Sequence, residues 1–285
     1  MKRILTLLLI ALMLMNAAPS LASGLAYPCY ADEPCKYSVS ELWLESDGKP
    51  VYGMLYLPEG DGPFPTVIMS HGMNSSESSW TFTANAFASS GFACYAYDFC
   101  GGNGLKRSGG KSSEMTVFTE KADLLAVLDQ IKAADFCDTD NLFLMGESMG
   151  GLVTTLVAAE RADEIKAIAL YYPAFSIPDN ARALYASADD IPSRVTFSGL
   201  PLGKAFYAVM LDFHVEEPIQ AYAGPVCIVH GDADTLVPLA SSEAAAELFA
   251  QCELSVLEGE GHGFTADGKA ASSETAFRFL SRYVE

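Results

Sequence analysis

The sequence predicts an α/β fold with a mostly parallel central sheet, an antiparallel N-terminal hairpin, helices on both faces and a cap insertion. From residue 65 onwards, short continuous apolar runs alternate with helical stretches, which is typical of parallel strands buried on both faces. Before them, residues 40–57 alternate apolar and polar around Asp47-Gly48, a strong hairpin signal. Half of the 285 residues are hydrophobic and 19% are charged, as in a globular chain.

The first residues have the order of a secretory signal peptide. Lys2-Arg3 precede an apolar run at residues 4–15, and small residues follow it. An apolar run of about a dozen residues is shorter than the roughly 20 that a bilayer span needs. We therefore expect residues 1–23 to be removed, with cleavage after Ala22 or Ser23. The mature protein would be secreted, extracellular or periplasmic, with no membrane association.

The alternation of patterns predicts each later element in turn. Six apolar runs predict the strands that follow the hairpin, at residues 66–70, 93–98, 142–145, 167–172, 226–230 and 254–257. Apolar residues at three- and four-residue spacing predict the helices between them, at residues 120–133, 151–162, 241–251 and 272–283. Residues 24–285 are therefore expected to form one domain.

One interval breaks this alternation. About fifty residues, roughly 174–224, separate two predicted strands and contain several prolines and an aromatic-rich piece at 205–214. Connections of that length are usually functional. We therefore expect a cap or lid within the same domain.

The charge balance excludes one class of partner. The chain has 36 acidic and 17 basic residues, a net charge of −19. Without Lys2 and Arg3 the balance is 36 acidic against 15 basic residues, or −21. Because such a surface repels phosphate backbones and anionic lipid, we expect no nucleic-acid binding.

The cysteines and histidines give no metal pattern. Cys29 and Cys35 lie close together in a proline-rich arm, and in an oxidising compartment they predict a small local disulfide. No cysteine pair has zinc-site spacing, and the four histidines are scattered. No metal site is expected.

A candidate nucleophile lies where a predicted strand meets a predicted helix. Gly146-Glu-Ser-Met-Gly150 has the pattern G-x-S-x-G, which arises by chance in roughly one chain of this length in ten. Its position is informative, because the glycines around Ser148 allow a strained turn that holds the hydroxyl above the sheet edge. The alternative interpretation is a glycine-rich turn with an exposed serine.

A serine attacks only when a base removes its proton and an acceptor orients that base. His262 follows the last predicted strand in a glycine-flanked loop and is the candidate base. His71 and His230 lie at strand ends before glycines, where a structural role is the simpler interpretation. His214 lies in the insertion, where we expect it to be exposed.

Two acids are candidates for the third position. Asp232 and Asp234 both follow the strand at 226–230, and either has the reach to orient His262. The order nucleophile, acid, histidine, each after a strand, matches the order of α/β hydrolases and neither main serine-protease order.

Four motifs follow one another along the chain: His-Gly at 71–72, the G-x-S-x-G turn, H-G-x-x-D-x-x-V-P at 230–238, and Gly-His at 261–262. Through them the chain resembles the α/β-hydrolase superfamily over essentially all of the mature sequence. The resemblance implies the α/β-hydrolase fold and selects Asp234 as the acid of a Ser148, Asp234, His262 triad. It also implies that the backbone N–H groups of Met73 and Met149 form the oxyanion hole.

Further segments point to one group of these enzymes: 97–102, 108–112, 115–120, 172–174, 191–194 and 202–207. Through them the chain is similar to the bacterial cinnamoyl (feruloyl) esterases. In that family the insertion caps the active site, and a tyrosine matching Tyr207 helps to hold the phenolic end of the substrate. The acidic partner of the phenol matches Asn180, beside Asp179, and Met149 stands where the family often has Gln.

The resemblance thus implies a secreted serine carboxylic-ester hydrolase that forms an acyl-enzyme on hydroxycinnamoyl esters, small or linked to polysaccharide, with no cofactor. One alternative is a short-chain or lipid-acyl esterase, a thioesterase or an acyltransferase. Another is a catalytically silent binding protein, against which the complete set Ser148, Asp234 and His262 argues. A homodimer is compatible with each of these.

Overall fold

The computed structural model describes residues 27–105, 107–197 and 199–285, so the predicted signal peptide lies outside the described residues. The described chain opens with an antiparallel hairpin, strand β1 (Tyr37–Ser46) and strand β2 (Lys49–Pro58). Asp47 and Gly48 join them with φ of 49° and 70°, the positive values that a tight two-residue turn requires. The predicted hairpin is confirmed.

The elements after the hairpin alternate between strand and helix. In chain order they are β3 (Phe64–Ser70), α1 (Thr81–Ser89), β4 (Ala93–Tyr97), α2 (Val117–Lys132), β5 (Cys137–Glu147), α3 (Met149–Glu160), β6 (Ala167–Tyr171), α4 (Ile177–Leu184), β7 (Arg194–Phe197), β8 (Leu200–Gly203), α5 (Lys204–Leu211), α6 (Glu216–Ala221), β9 (Val226–Gly231), α7 (Leu239–Leu248), β10 (Cys252–Leu257) and α8 (Ala266–Leu280).

Eight strands form one sheet in the order β1-β2-β4-β3-β5-β6-β9-β10. The pairs β1–β2 and β2–β4 are antiparallel, and all the later pairs are parallel. The expected mostly parallel sheet with an antiparallel start is therefore confirmed.

Two hydrophobic cores lie on the two faces of this sheet. Within β3, Ile68 packs into the core that contains α2 and α3, whereas Val67 and Met69 pack into the core that contains α1 and α8. All three side chains are fully buried. Alternate residues of the same strand thus enter opposite cores, which is why the strands read as continuous apolar runs.

Helix boundaries differ from the predictions where the apolar period is weak. Helix α1 was not predicted, because residues 83–89 are all buried and so leave no polar face to reveal the period. Helix α2 begins three residues early, where Thr116 and Thr119 form a reciprocal capping box. Helix α8 also begins early, capped by the Thr265 side chain.

The interval between β6 and β9 contains its own elements. Helix α4 is followed by the antiparallel pair β7–β8, then by α5 and α6. Arg182 of α4 donates to the Phe213 carbonyl oxygen at 2.9 Å, which ties the start of the interval to its later part. Among the described residues, no helix is both long and apolar enough to cross a bilayer.

The expected Cys29–Cys35 disulfide is wrong. Both thiols are free, as are the other five. The Cys29 Sγ lies 3.3 Å from the carbonyl oxygen of Ser89, and the backbone N–H of Cys35 donates to that same oxygen at 2.7 Å. The arm is thus held by hydrogen bonds to the end of α1 instead of a covalent bridge.

Candidate active site

The carboxyl ends of the central parallel strands meet at one edge of the sheet. In register, Ser70 of β3 is opposite Gly146 of β5, Glu147 is opposite Tyr171 of β6, and Tyr171 is opposite Val229 of β9. The loops that follow these strands therefore converge, as is general for ligand sites in α/β sheets.

Ser148 occupies a sharp turn between β5 and α3. Its φ of 52° and ψ of −122° fall in a region that a non-glycine residue rarely adopts. Three backbone hydrogen bonds hold it there: its N–H donates to the Tyr171 oxygen, and its carbonyl accepts from Gly151 and Ala174, all at 2.9–3.0 Å. The turn is thus a nucleophile elbow in geometry.

Two glycines let this turn pack against the sheet. A Cβ on Gly150 would lie 2.3 Å from the Ser70 carbonyl oxygen, and one on Gly146 would lie 2.4 Å from the Gly150 oxygen. Real Cβ atoms do not approach backbone this closely, so both positions require glycine. Their spacing around Ser148 therefore has a steric cause.

Three side chains form one hydrogen-bonded chain above the sheet edge. His262 Nε2 lies 3.0 Å from Ser148 Oγ, and His262 Nδ1 lies 2.7 Å from Asp234 Oδ2. Asp232 is turned away and accepts from the Gly259 N–H at 2.7 Å. The structure thus brings Asp234, and not Asp232, to His262.

The surroundings of Asp234 keep it ionised. Its Oδ1 accepts from the backbone N–H groups of Leu236 at 2.8 Å and Val237 at 2.9 Å. Burial raises the pKa of this carboxyl, but the hydrogen bonds from Val237 and His262 outweigh burial and leave the pKa below its usual value. An ionised acid is what an imidazolium needs beside it.

A second histidine contacts the same carboxylate. His230 Nε2 lies 3.3 Å from Asp234 Oδ2 and 3.0 Å from the Val237 carbonyl oxygen, and Nδ1 lies 2.7 Å from Ser242 Oγ. The ring is completely buried, and burial lowers its pKa. A neutral ring that donates through Nε2 satisfies all three contacts.

The loop after β3 lies against the elbow. A Cβ on Gly72 would come within 3.0 Å of the Ser148 Cβ. His71 braces this loop, because its Nε2 accepts from the Phe99 N–H at 3.1 Å while its Nδ1 donates to the Gly72 oxygen at 2.6 Å. Burial lowers the pKa of His71, as expected for a neutral structural histidine.

The two expected oxyanion donors border the same pocket as Ser148. Met149 is the first residue of α3, so its N–H has no acceptor within the helix. Met73 follows Gly72 in the loop after β3, and both methionines line the pocket. Both residues therefore border the space beside Ser148 in which an attacked carbonyl would lie.

A largely apolar pocket of about 140 Å³ opens beside Ser148. Tyr207 and Asn180, both expected to bind substrate, line it together with Ser176 and Phe206. Burial raises the pKa of Tyr207, so its phenol keeps its proton at neutral pH. The other lining residues are Ala174, Ile177, Leu184, Phe197, Leu236 and Val237.

Asp179 does not line this pocket. Its side chain is 78% exposed and pairs with Arg182 at 2.7 Å. Adjacent residues on a helix point about 100° apart, so α4 places Asn180, itself exposed, at the pocket and turns Asp179 away from it. The expectation that Asp179 binds substrate is not supported by its position.

Two residues beside the serine were not singled out from the sequence. Glu147 immediately precedes Ser148 and is 7% exposed, and Tyr172 follows β6 with its ring centroid 4.6 Å from that of His262. The Tyr172 hydroxyl donates to Glu147 at 3.1 Å. The available signal was a carboxylate that follows the apolar run at 142–145 and immediately precedes the candidate serine. No cluster of three or more potential metal ligands occurs within the described part of the chain.

Comparison with protein families identifies the family to which this chain belongs. Residues 61–209, about half of the chain, match the family model described as serine aminopeptidase, S33, a hydrolase family. The match spans the elbow and most of the interval between β6 and β9.

Curated relatives carry esterase and lipase names. A monoacylglycerol lipase of Mycolicibacterium smegmatis is 28% identical over 218 residues, 66% of this chain and 76% of the relative. A caffeoylshikimate esterase of Arabidopsis thaliana is 30% identical over 149 residues, 50% of this chain and 43% of the relative.

Among solved structures, Est1E from Butyrivibrio proteoclasticus with ferulic acid bound superimposes with a TM-score of 0.74. It is 28% identical, and the match covers 84% of this chain and 99% of that one. The resemblance to feruloyl esterases therefore extends from sequence to three-dimensional structure.

Proposed function

Because this chain belongs to the serine aminopeptidase S33 family of α/β hydrolases and is a carboxylic-ester hydrolase, we propose that it is a secreted serine esterase that cleaves hydroxycinnamoyl esters through an acyl-enzyme. The observation that carries the proposal is the hydrogen-bonded chain Ser148, His262, Asp234 beside an apolar pocket. The required general base, its orienting acid and space for an acyl group are all within reach of one hydroxyl.

The proposed reaction has two halves. Ser148 Oγ attacks the ester carbonyl carbon while His262 Nε2 takes the hydroxyl proton, and Asp234 stabilises the imidazolium. The N–H groups of Met73 and Met149 would stabilise the oxyanion. The imidazolium then protonates the departing alcohol. Water, activated by His262, cleaves the acyl-enzyme and releases the acid.

The pocket supports an aryl acyl group. Phe206 and Tyr207 supply flat apolar surface, with their ring centroids 5.2 Å apart at 80°. Asn180 and Tyr207 supply polar groups in the same lining. A planar phenolic acyl chain matches such a lining, because its ring packs against the aromatic side chains while its hydroxyl finds hydrogen-bonding partners.

A lipid-acyl substrate is the second candidate. Leu184, Phe197 and Leu236 line the pocket, yet they are 62%, 38% and 48% exposed. An aliphatic chain longer than the pocket would cover this apolar rim. The monoacylglycerol lipase among the relatives favours the same alternative.

The deciding experiment compares kcat/KM on methyl ferulate and on p-nitrophenyl butyrate, using residues 24–285. We expect methyl ferulate to react at a comparable or higher rate. Ser148→Ala should lower both values by at least about 10⁴-fold, because the nucleophile is lost. The matched control is Ser38→Ala, a serine exposed on β1, which should leave both values unchanged.

Three outcomes separate the candidates. Turnover of ferulate supports the proposal, and turnover of butyrate alone would assign the pocket to aliphatic acyl groups. Equal activity of Ser148→Ala and wild type would overturn the serine-esterase mechanism altogether.

Secretion is tested separately, by N-terminal sequencing of protein exported from the full-length chain, where a start at Ser23 or Gly24 is expected.

A further inference from the structure

The carboxylate of Glu147 lies next to the reacting groups without belonging to them. It is the last residue of β5, one position before Ser148, and is nearly fully buried. Within the described chain it forms no ion pair with Lys, Arg or His. A buried carboxylate requires hydrogen-bond donors instead, since leaving it unpaired would strongly destabilise the fold.

Three donors meet this carboxylate from two different loops. Its Oε1 accepts from the Gly72 backbone N–H at 3.2 Å and from the Ser75 hydroxyl at 3.3 Å. Its Oε2 accepts from the Tyr172 hydroxyl at 3.1 Å. One side chain thus holds both the loop after β3 and the loop after β6.

The first loop carries one expected oxyanion donor. Met73 lies between the two residues that Glu147 holds, Gly72 and Ser75, so the position of its N–H depends on their anchoring. Gly72 itself lies against Ser148. A shift of this loop would move the donor relative to the attacked carbonyl.

The second loop supports the base. Tyr172 has a φ of 36°, and its ring packs against His262 with centroids 4.6 Å apart and against Phe264 at 4.7 Å. Burial, and then the charge of Glu147, raise the pKa of Tyr172 far above its usual value. The phenol therefore stays protonated and donates a hydrogen bond to the carboxylate. The hydroxyl therefore fixes the ring that contacts the imidazole.

We propose that Glu147 is a positioning residue that holds the Met73 oxyanion loop and the Tyr172 support of His262 in register with Ser148. The inference rests on the proposed serine-esterase function. Glu147 takes no proton from the substrate and does not touch it. Its effect is on alignment, where displacement of about 1 Å lowers rates by roughly 10²-fold.

The test uses steady-state kinetics of four variants on p-nitrophenyl butyrate. Glu147→Ala should lower kcat about 10²-fold with KM within about threefold, because only alignment in the transition state is lost. Glu147→Gln should recover most of kcat, since its Oε1 still accepts from Gly72 and Ser75. Tyr172→Phe and Ser75→Ala each remove one donor and should lower kcat by roughly tenfold.

The matched control for Tyr172→Phe is Tyr95→Phe. Tyr95 is also a fully buried tyrosine, and its hydroxyl donates to the Leu42 carbonyl oxygen at 3.0 Å, away from the site. Both variants lose one hydrogen bond of a buried tyrosine hydroxyl, so their losses of stability should be similar. Only Tyr172→Phe should lower kcat.

A second readout separates alignment from folding. The affinity of a trifluoromethyl ketone, which forms a tetrahedral adduct with the serine, should fall in parallel with kcat across the series. If Glu147→Ala does not fold, Tyr172→Phe and Ser75→Ala decide the question by the same two measurements.

The proposal is overturned if Tyr172→Phe and Ser75→Ala retain wild-type kcat and adduct affinity, or if Glu147→Ala loses stability alone. Combining Tyr172→Phe with Glu147→Ala should lower the logarithm of kcat by less than the sum of the two single effects, because both substitutions remove the same contact. Full additivity would also contradict it. Failure of the serine mechanism is distinguished from these outcomes, because there Ser148→Ala would be fully active.

Discussion

Asp232 and Asp234 show how two residues of equal chemistry are separated by a loop. Both follow β9, and they are two positions apart. The backbone N–H groups of Leu236 and Val237 converge on Asp234, whereas Asp232 turns to Gly259. The geometry of the loop, and not the identity of the residue, decides which acid reaches His262.

This difference gives a matched pair of substitutions. Asp234→Asn should lower kcat by about 10⁴-fold, because the neutral amide no longer stabilises the imidazolium and favours the wrong tautomer. Asp232→Asn should leave kcat within about threefold of wild type. Burst and steady-state kinetics on p-nitrophenyl butyrate measure both. A large loss in Asp232→Asn with an active Asp234→Asn would contradict the assignment.

Glu120 is a buried carboxyl without a donor. It is fully buried in α2, and neither oxygen has a hydrogen-bond partner among the described residues. Burial, and secondarily Asp123, raise its pKa well above the usual value. The native state therefore keeps a proton that the unfolded chain releases above about pH 4.3.

The stability of the protein should therefore depend on pH through Glu120. A raised native pKa contributes stability below about pH 4.3, and this contribution is lost as the pH rises towards the native pKa. The side chain in Glu120→Gln cannot ionise, so this variant does not lose stability as the pH rises. Its free energy of unfolding relative to wild type should therefore increase from pH 4 to pH 8. Urea unfolding at several pH values measures this trend. Exposed Glu243→Gln is the control and should show none. A pH-independent effect of Glu120→Gln would contradict the explanation.

At the scale of elements, the elbow depends on close contact between α3 and the sheet. Gly150→Ala would place a Cβ 2.3 Å from the Ser70 oxygen and 2.4 Å from the His71 oxygen. Because both neighbours are backbone atoms, we expect a loss of stability of about 1–3 kcal/mol or more, together with a loss of activity. Gly104→Ala is the control, as its nearest contact would be at 3.7 Å. Thermal unfolding of both variants provides the comparison, and a stable, active Gly150→Ala would show that the contact can relax.

The same elements show what the sequence could predict. Strands β3 to β6 and the turn at Ser148 were recognisable because burial on two faces and flanking glycines leave direct patterns in the residues. Helix α1 was not recognisable, because its burial removes the amphipathic period. The short elements α4, β7 and β8 carry too few residues for a period to appear.

The candidate site divides in the same way. Ser148 and His262 follow from local motifs, while Asp234 was separated from Asp232 only by resemblance. The contacts of Glu147 to Gly72 and Tyr172 join positions 75 and 25 residues apart. Such contacts depend on strand order, which no local pattern contains.

At the scale of the whole molecule, charge is strongly unbalanced. The chain has a net charge of −19, and its ion pairs, such as Arg278–Glu274 and Arg282–Glu253, lie mostly at the surface. Exposed pairs contribute little to stability, whereas repulsion among excess like charges destabilises the compact state. Repulsion should therefore dominate the response to salt.

Raising NaCl from 10 to 150 mM should consequently increase Tm. Screening shortens the Debye length from about 30 Å to about 8 Å. An increase of roughly 2–4 °C corresponds to about 1 kcal/mol in a domain of this size. Differential scanning calorimetry with NaCl and with choline chloride should give equal increases, since the effect does not depend on the cation. A decrease in Tm would show that surface pairs outweigh repulsion.

Most of the pocket lining comes from a different stretch of chain than the reacting groups. Tyr207, Phe206 and Asn180 belong to the interval between β6 and β9, whereas Ser148 and His262 follow strands of the central sheet. Substitution within that interval can therefore change which acyl group the pocket accepts while the catalytic residues stay unchanged. For a lineage under selection, or for directed evolution, new substrate preferences are accessible through this single contiguous segment.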